Sequence, residues 1–117
     1  MISFNQITLV GNVGSDPETR ATKDGTPVTN FPLAVNTYAG KDKNEAPMWV
    51  TVVAWKNLAS QAEKLIAKGR LVLVSGRLSL RKYKDKNEVE RTAVEVIANT
   101  IQMLDSKGKA IVADQAA

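Results

Sequence analysis

The 117-residue chain contains neither cysteine nor histidine. That removes disulfides, thiol chemistry and the commonest general base and zinc ligands. The length suits one domain with its own core. No apolar run is long enough to span a membrane, and no basic-then-apolar export signal opens the chain, so a soluble, intracellular protein is expected. The net charge of +4 is unevenly placed: residues 1–67 are balanced, six basic against six acidic, whereas residues 68–91 carry eight basic against three acidic. An anionic partner and a merely solvated face account for that excess about equally well.

Residues 4–13 alternate Ile7, Leu9, Gly11 and Val13 against Gln6, Thr8, Val10 and Asn12, which predicts a strand with one buried face. Gly11 and Gly14 permit a bend or a close backbone approach. Residues 15–27 read as loop, with turn signals at Asp16-Pro17 and Asp24-Gly25. Asp16 and Glu18 do not make a catalytic pair, since no base or metal ligand accompanies them. Residues 28–38 predict a second strand that buries Phe31, Leu33 and Val35, with Tyr38 on the other face. Pro32 has no N–H to donate and implies an edge or a bulge. The stretch 39–47 is a polar loop carrying Lys41 and Lys43.

Residues 48–56, MWVTVVAWK, form the third predicted strand. Val50, Val52 and Ala54 share one face and suit a core, which leaves Trp49, Thr51, Val53 and Trp55 on the other. An exposed indole costs roughly 25 cal/mol per Å² of apolar surface, so something is expected to cover the pair: a second core, a subunit interface or flat stacking ligands. Residues 57–68 predict the single helix, with Leu58, Ala62, Leu65 and Ile66 on one face, Asn57 as N-cap and Gly69 just past the end. Residues 70–83 return to strand, Val72, Val74, Leu78 and Leu80 alternating with Leu71, Leu73, Ser75, Arg77, Ser79, Arg81 and Tyr83. A hairpin turns around Asp85-Lys86-Asn87 into a last strand at 92–103, and residues 105–117 read as a frayed or disordered tail.

Five strands with a helix between the third and fourth, and an extended hairpin joining the fourth and fifth, is the layout of an all-β OB-type barrel. Its binding face is built from the middle strands and neighbouring loops, which brings Trp49, Trp55 and Tyr83 beside the basic excess. Aromatic rings interleaved with Arg and Lys suit unpaired bases and their phosphates. A duplex reader would need an element that enters a groove, and the helix exposes only Lys64 and Lys68 as basic residues.

At these residues the chain also resembles a family. ITLVGNVGSDPETR, NFPLAVNTY, MWVTVVAWKNLASQAEKLIAKGRLVLVSGRL, RKYKD and IQML, in that order over residues 4–104, are similar to the bacterial-type single-stranded DNA-binding proteins. The resemblance implies a domain at 1–104 and a flexible tail at 105–117. It implies sequence-tolerant binding of single-stranded DNA in replication, repair and recombination, a cytoplasmic, nucleoid-associated location, and a homotetramer. Trp49, Trp55 and Tyr83 match the family's stacking aromatics, and Lys68, Arg81 and Lys82 its backbone-contacting cations. Lys56, Arg77 and Lys84 join them as candidate DNA contacts, and Gln6, Thr8 and Val10 lie in the segment that pairs between subunits. Tyr83 stands where a tryptophan is frequent, and Thr51 where some members carry a cation. The chain stops at ADQAA without the acidic, Pro-Phe-tipped tail of longer members, which fits either a short form or a cut chain and leaves recruitment of other proteins by that route in doubt. No catalytic constellation, cofactor or metal is expected. An RNA-binding or replication-restart accessory OB protein is the alternative, and a purely structural assembly with its tryptophans at an interface is a third reading.

Overall fold

A computed structural model describes residues 2–36 and 46–104, and the backbone of 110–112. The order of elements is β1 (Ile7–Val13), β2 (Glu18–Ala21), β3 (Pro27–Val35), β4 (Met48–Trp55), α1 (Lys56–Leu65), β5 (Leu71–Lys84), β6 (Glu90–Met103) and β7 (Ala110–Val112). Neighbouring strands run β1-β5-β6-β4-β3-β2, and β1 also pairs with β3 through Asn12↔Ala34 and Val13↔Leu33. The five long strands therefore close into the ring expected for the OB type. Only the β4–β6 contact is parallel among the described pairings, at Thr51↔Glu95, Val52↔Val96 and Val53↔Ile97.

The period-2 pattern that predicts the strands also fills the ring. Val13, Phe31, Leu33, Val50, Val52, Val72, Val74, Val96 and Ile101 point inward and are buried. α1 closes the ring with Leu58, Ala59 and Ala62. The one buried polar side chain among the described residues, Thr29, donates its hydroxyl to the Ala59 carbonyl at 2.9 Å and shares a hydrogen bond with Thr19 at 2.8 Å. One residue thus ties α1, β3 and β2 together.

Several expectations are corrected. The segment predicted as loop at 15–27 contains β2, which pairs with β3 from Glu18↔Asn30 to Ala21↔Pro27. ETRA is polar throughout and all four residues are exposed, so no hydrophobic alternation announces the strand. β1 begins at Ile7 rather than at residue 4, with Phe4 87% exposed. α1 starts one residue early, straight from β4, and no side chain caps it, so Asn57 is not an N-cap. It ends at Leu65. Ile66 follows with extended backbone and turns its side chain inward, which leaves Leu65 at the rim, 40% exposed. Gly69 is left-handed as its position suggested, at φ +90°, but it lies beyond the helix end, in the turn that leads to β5.

Pro32 sits at a local edge inside the ring rather than at a bulge. It pairs with Thr51 of β4, and on its other side lies the gap where the neighbour of β3 changes from β2 to β1. The Pro32 carbonyl accepts from the Gly14 N–H at 2.9 Å on that side, which is where a missing donor costs least.

The β5–β6 hairpin outruns the ring. β1 covers β5 only as far as Gly76, so Leu78 and Leu80, which continue the alternation of the buried Val72 and Val74, are 38% and 63% exposed. A bulge marks the departure: Ser75 pairs with Thr100 but Gly76 with Ala98. A Cβ on Gly76 would stand 2.1 Å from the Ile97 carbonyl oxygen, so only glycine fits the bulge. Part of the predicted tail is also strand. β7 pairs with β6 at Thr100–Gln102, beyond the reach of β4. Tyr38, Lys41, Lys43 and the rest of 105–117 lie outside the described residues.

Candidate nucleic-acid interface

Register decides which side chains share the outer face. Across β5, β6, β4 and β3, one row reads Arg77–Ile97–Val53–Asn30 and the next Ser79–Glu95–Thr51–Pro32. Alternation adds Trp49 and Trp55 of β4, and Arg81 and Tyr83 of β5, to the same face. Both tryptophans point away from the core, Trp49 57% and Trp55 37% exposed. About 20 Å of strand separates them, at roughly 3.3 Å per residue.

Two of the three aromatics have defined neighbours. Trp49 pairs across the sheet with the small Ala34, and its six-membered ring lies on Gly14. Tyr83 projects from the arm, with the Arg81 guanidinium 5.4 Å from its ring centroid. Arg81 also donates from Nε to Glu95 Oε2 at 3.1 Å, while its side chain stays 58% exposed. Glu95 therefore holds the Arg81 stem and leaves the outer edge of the guanidinium open.

The remaining predicted cations divide. Arg77 lies on the tryptophan face. Lys68 is exposed, and its backbone N–H donates to Asp16 at 3.0 Å, which ties its loop to the segment beneath Trp49. Lys82 and Lys84 alternate onto the opposite face of the arm, with Leu78, Leu80 and Val94. Lys56 follows Trp55 directly and has φ +58°, a left-handed conformation unusual for a residue with a Cβ. The arm's tip is organised by Asp85, which accepts from the Asn87 and Val89 amides and from Arg91 Nε at 2.9–3.1 Å. The Arg91 guanidinium, and then the two amides, hold its carboxyl below the usual aspartate range.

Sequence reasoning missed Glu95, Arg20 and the role of Gly14. Arg20 pairs with Val28, which pairs with Trp55, so it extends the tryptophan face onto β2. Only the register reveals this, and the register depends on a strand that hydrophobicity does not announce. The predicted interface residues Gln6, Thr8 and Val10 are exposed, Val10 at 44%. β1 uses one edge for β5 and the other for β3 only at Asn12 and Val13, so among the described residues the edge at Ile7–Gly11 has no strand partner.

A five-stranded OB ring whose outer sheet face carries spaced aromatic rings and open cations defines the class. The chain belongs to the single-strand binding protein family, whose family model matches residues 4–104. It is 37% identical over 110 residues to the single-stranded DNA-binding protein of Thermotoga maritima, covering 92% of this chain and 78% of that one. It is 35% identical over 112 residues to that of Neisseria meningitidis, covering 92% of this chain but 64% of the relative. The match thus spans just under two thirds of the Neisseria protein's length. Among solved structures it is similar to that of Plasmodium falciparum SSB in complex with ssDNA, with a TM-score of 0.77, 32% identity, and coverage of 90% of this chain and 98% of that one.

Proposed function

We propose that the chain binds single-stranded DNA without regard to sequence and carries out no catalysis. Bases stack on Trp49, Trp55 and Tyr83, and phosphates meet Arg81, Arg77, Lys56 and Lys68. The observation that carries this reading is the sharing of one outer face by both outward tryptophans, Arg77, Arg81 and Tyr83. Stacking tolerates any sequence because every base offers a π-face, and it contributes roughly 1–3 kcal/mol per base. Lys82 and Lys84 meet the strand only where it rounds the edge of the arm.

In this reading residues 1–104 are the binding domain, to which β7 adds one further strand. The partnerless edge of β1, flanked by Gln6, Thr8 and Val10, supports pairing between copies, and a homotetramer is the assembly proposed. Protection of unpaired strands in replication, repair and recombination, in the cytoplasm at the nucleoid, follows from that activity. Trp49→Ala and Trp55→Ala test it. Each is expected to weaken oligo-dT binding by about 1–3 kcal/mol with thermal unfolding little changed, and wild-type affinity in both would reject the stacking face. Competition between matched DNA and RNA oligomers separates this reading from an RNA binder.

A further inference from the structure

Beyond Trp55 the outer face opens into a groove of about 510 Å³, lined by Thr22, Lys23, Asp24, Thr26, Trp55 and Lys56. One wall is the β2–β3 turn and the other is the junction of β4 with α1. The turn is tightly built: Thr22 N–H donates to the Thr26 carbonyl and Gly25 N–H to the Thr22 carbonyl, both at 2.9 Å, and Gly25 adopts φ +86°. Asp24, the one acid in the groove, is engaged within the turn. Its carboxylate accepts from the Thr22 hydroxyl and the Thr26 amide. Among the described residues, the Lys23 and Lys56 side chains form no hydrogen bond or ion pair, and both line the groove together with Trp55. At Lys56 the chain holds a side chain in a left-handed conformation that glycine would adopt without strain. Arg20 stands in the Trp55 row toward the turn, its exposed guanidinium 3.8 Å from the Glu18 carboxylate.

We infer that a single DNA strand crossing the tryptophan face leaves it through this groove, with its phosphates on Lys23 and Lys56 and a base against the Trp55 edge. The β2–β3 turn is then part of the binding surface, and Lys23 is a contact residue. This rests on the reading of the tryptophan face as a single-strand site.

The test uses the full chain with a fluorescein-labelled oligo-dT of about 16 nucleotides, the upper site size for one OB fold, titrated over a range of salt concentrations. Lys23→Gln is expected to weaken binding several-fold at low salt and to lower the slope of log K against log salt by about 0.7, the value for one phosphate contact on a single strand. Lys64→Gln makes the same charge change on α1, away from the groove, and is expected to keep the wild-type slope. Equal losses in the two variants would mean a general charge effect and overturn the groove, as would a Lys23→Gln slope matching wild type. Failure of the wild-type chain to bind at all would instead overturn the reading of the face itself.

Discussion

The six-membered ring of Trp49 lies directly on the α-carbon of Gly14: a Cβ built there would stand 2.5 Å from Cζ3 and 2.9 Å from Cη2. The indole is rigid, so neither atom can retreat without moving the whole ring, and the Pro32 ring lies 3.4 Å from the same Cβ position. Gly14 therefore sets the plane of the Trp49 ring, the surface proposed to take a base. Gly14→Ala is expected to tilt Trp49 and weaken oligo-dT binding by about 1 kcal/mol, within the stacking range of 1–3. Trp49 emission in a Trp55→Phe background should shift in the free protein. An unshifted spectrum with wild-type affinity would show that the seat is unimportant.

Glu95 holds Arg81 from one side, in an ion pair whose basic member is largely exposed. The Glu95 side chain is only 14% exposed, but Arg81 is open to solvent and glutamine keeps an oxygen to accept from its Nε. Glu95→Gln is therefore expected to change stability by less than about 1 kcal/mol in urea denaturation. If the face binds phosphates as proposed, removing a negative charge from it should tighten binding a few-fold at low salt. Weaker binding would instead make Glu95 a positioning residue for Arg81, and titration at two salt concentrations decides between them.

At Lys56 the backbone conformation costs about 1–2 kcal/mol for any residue with a Cβ. Lys56→Gly and Lys56→Ala remove the same charge and differ in that strain. The glycine variant is expected to be about 1 kcal/mol more stable than the alanine variant by chemical denaturation, with both losing DNA affinity alike. Equal stabilities would contradict the left-handed assignment.

Asp85 links the arm's tip to pH. Its folded pKa lies below the ordinary value of 3.8, chiefly through Arg91 and then through the Val89 and Asn87 amides. A depressed pKa means that the ionised form favours the folded turn. That contribution is fully present above the unfolded value and is lost as pH falls through the folded value. Amide exchange at Asn87 and Val89 should accelerate in acid below pH 4 before the ring's core amides respond. Simultaneous loss of protection throughout would show that the tip is not governed by Asp85.

Much of the ring is legible in the sequence because each long strand alternates, and MWVTVVAWK separates its two faces cleanly. The rows across the face are not legible, because register emerges only when strands pair. That is why Glu95 and Arg20 escape notice, and why Lys82 and Lys84 read as companions of Tyr83 although the pleat turns them the other way. β2 is hidden for a different reason: it is held by backbone pairing to β3 and by the Thr19–Thr29 hydrogen bond, with every residue in ETRA exposed. Leu78 and Leu80 keep the period of buried residues but lie beyond the end of β1, and alternation cannot say where a ring ends.

The central claim is that unpaired bases lie flat on the outward indoles beside a positive rim. Titrating the wild-type chain with oligo-dT while following tryptophan emission, at two salt concentrations, tests it most directly. The expected result is strong quenching, with an affinity that falls by roughly 0.7 log units per log unit of salt for each phosphate contacted. Emission that stays unchanged at saturating oligomer, at either salt concentration, would contradict it.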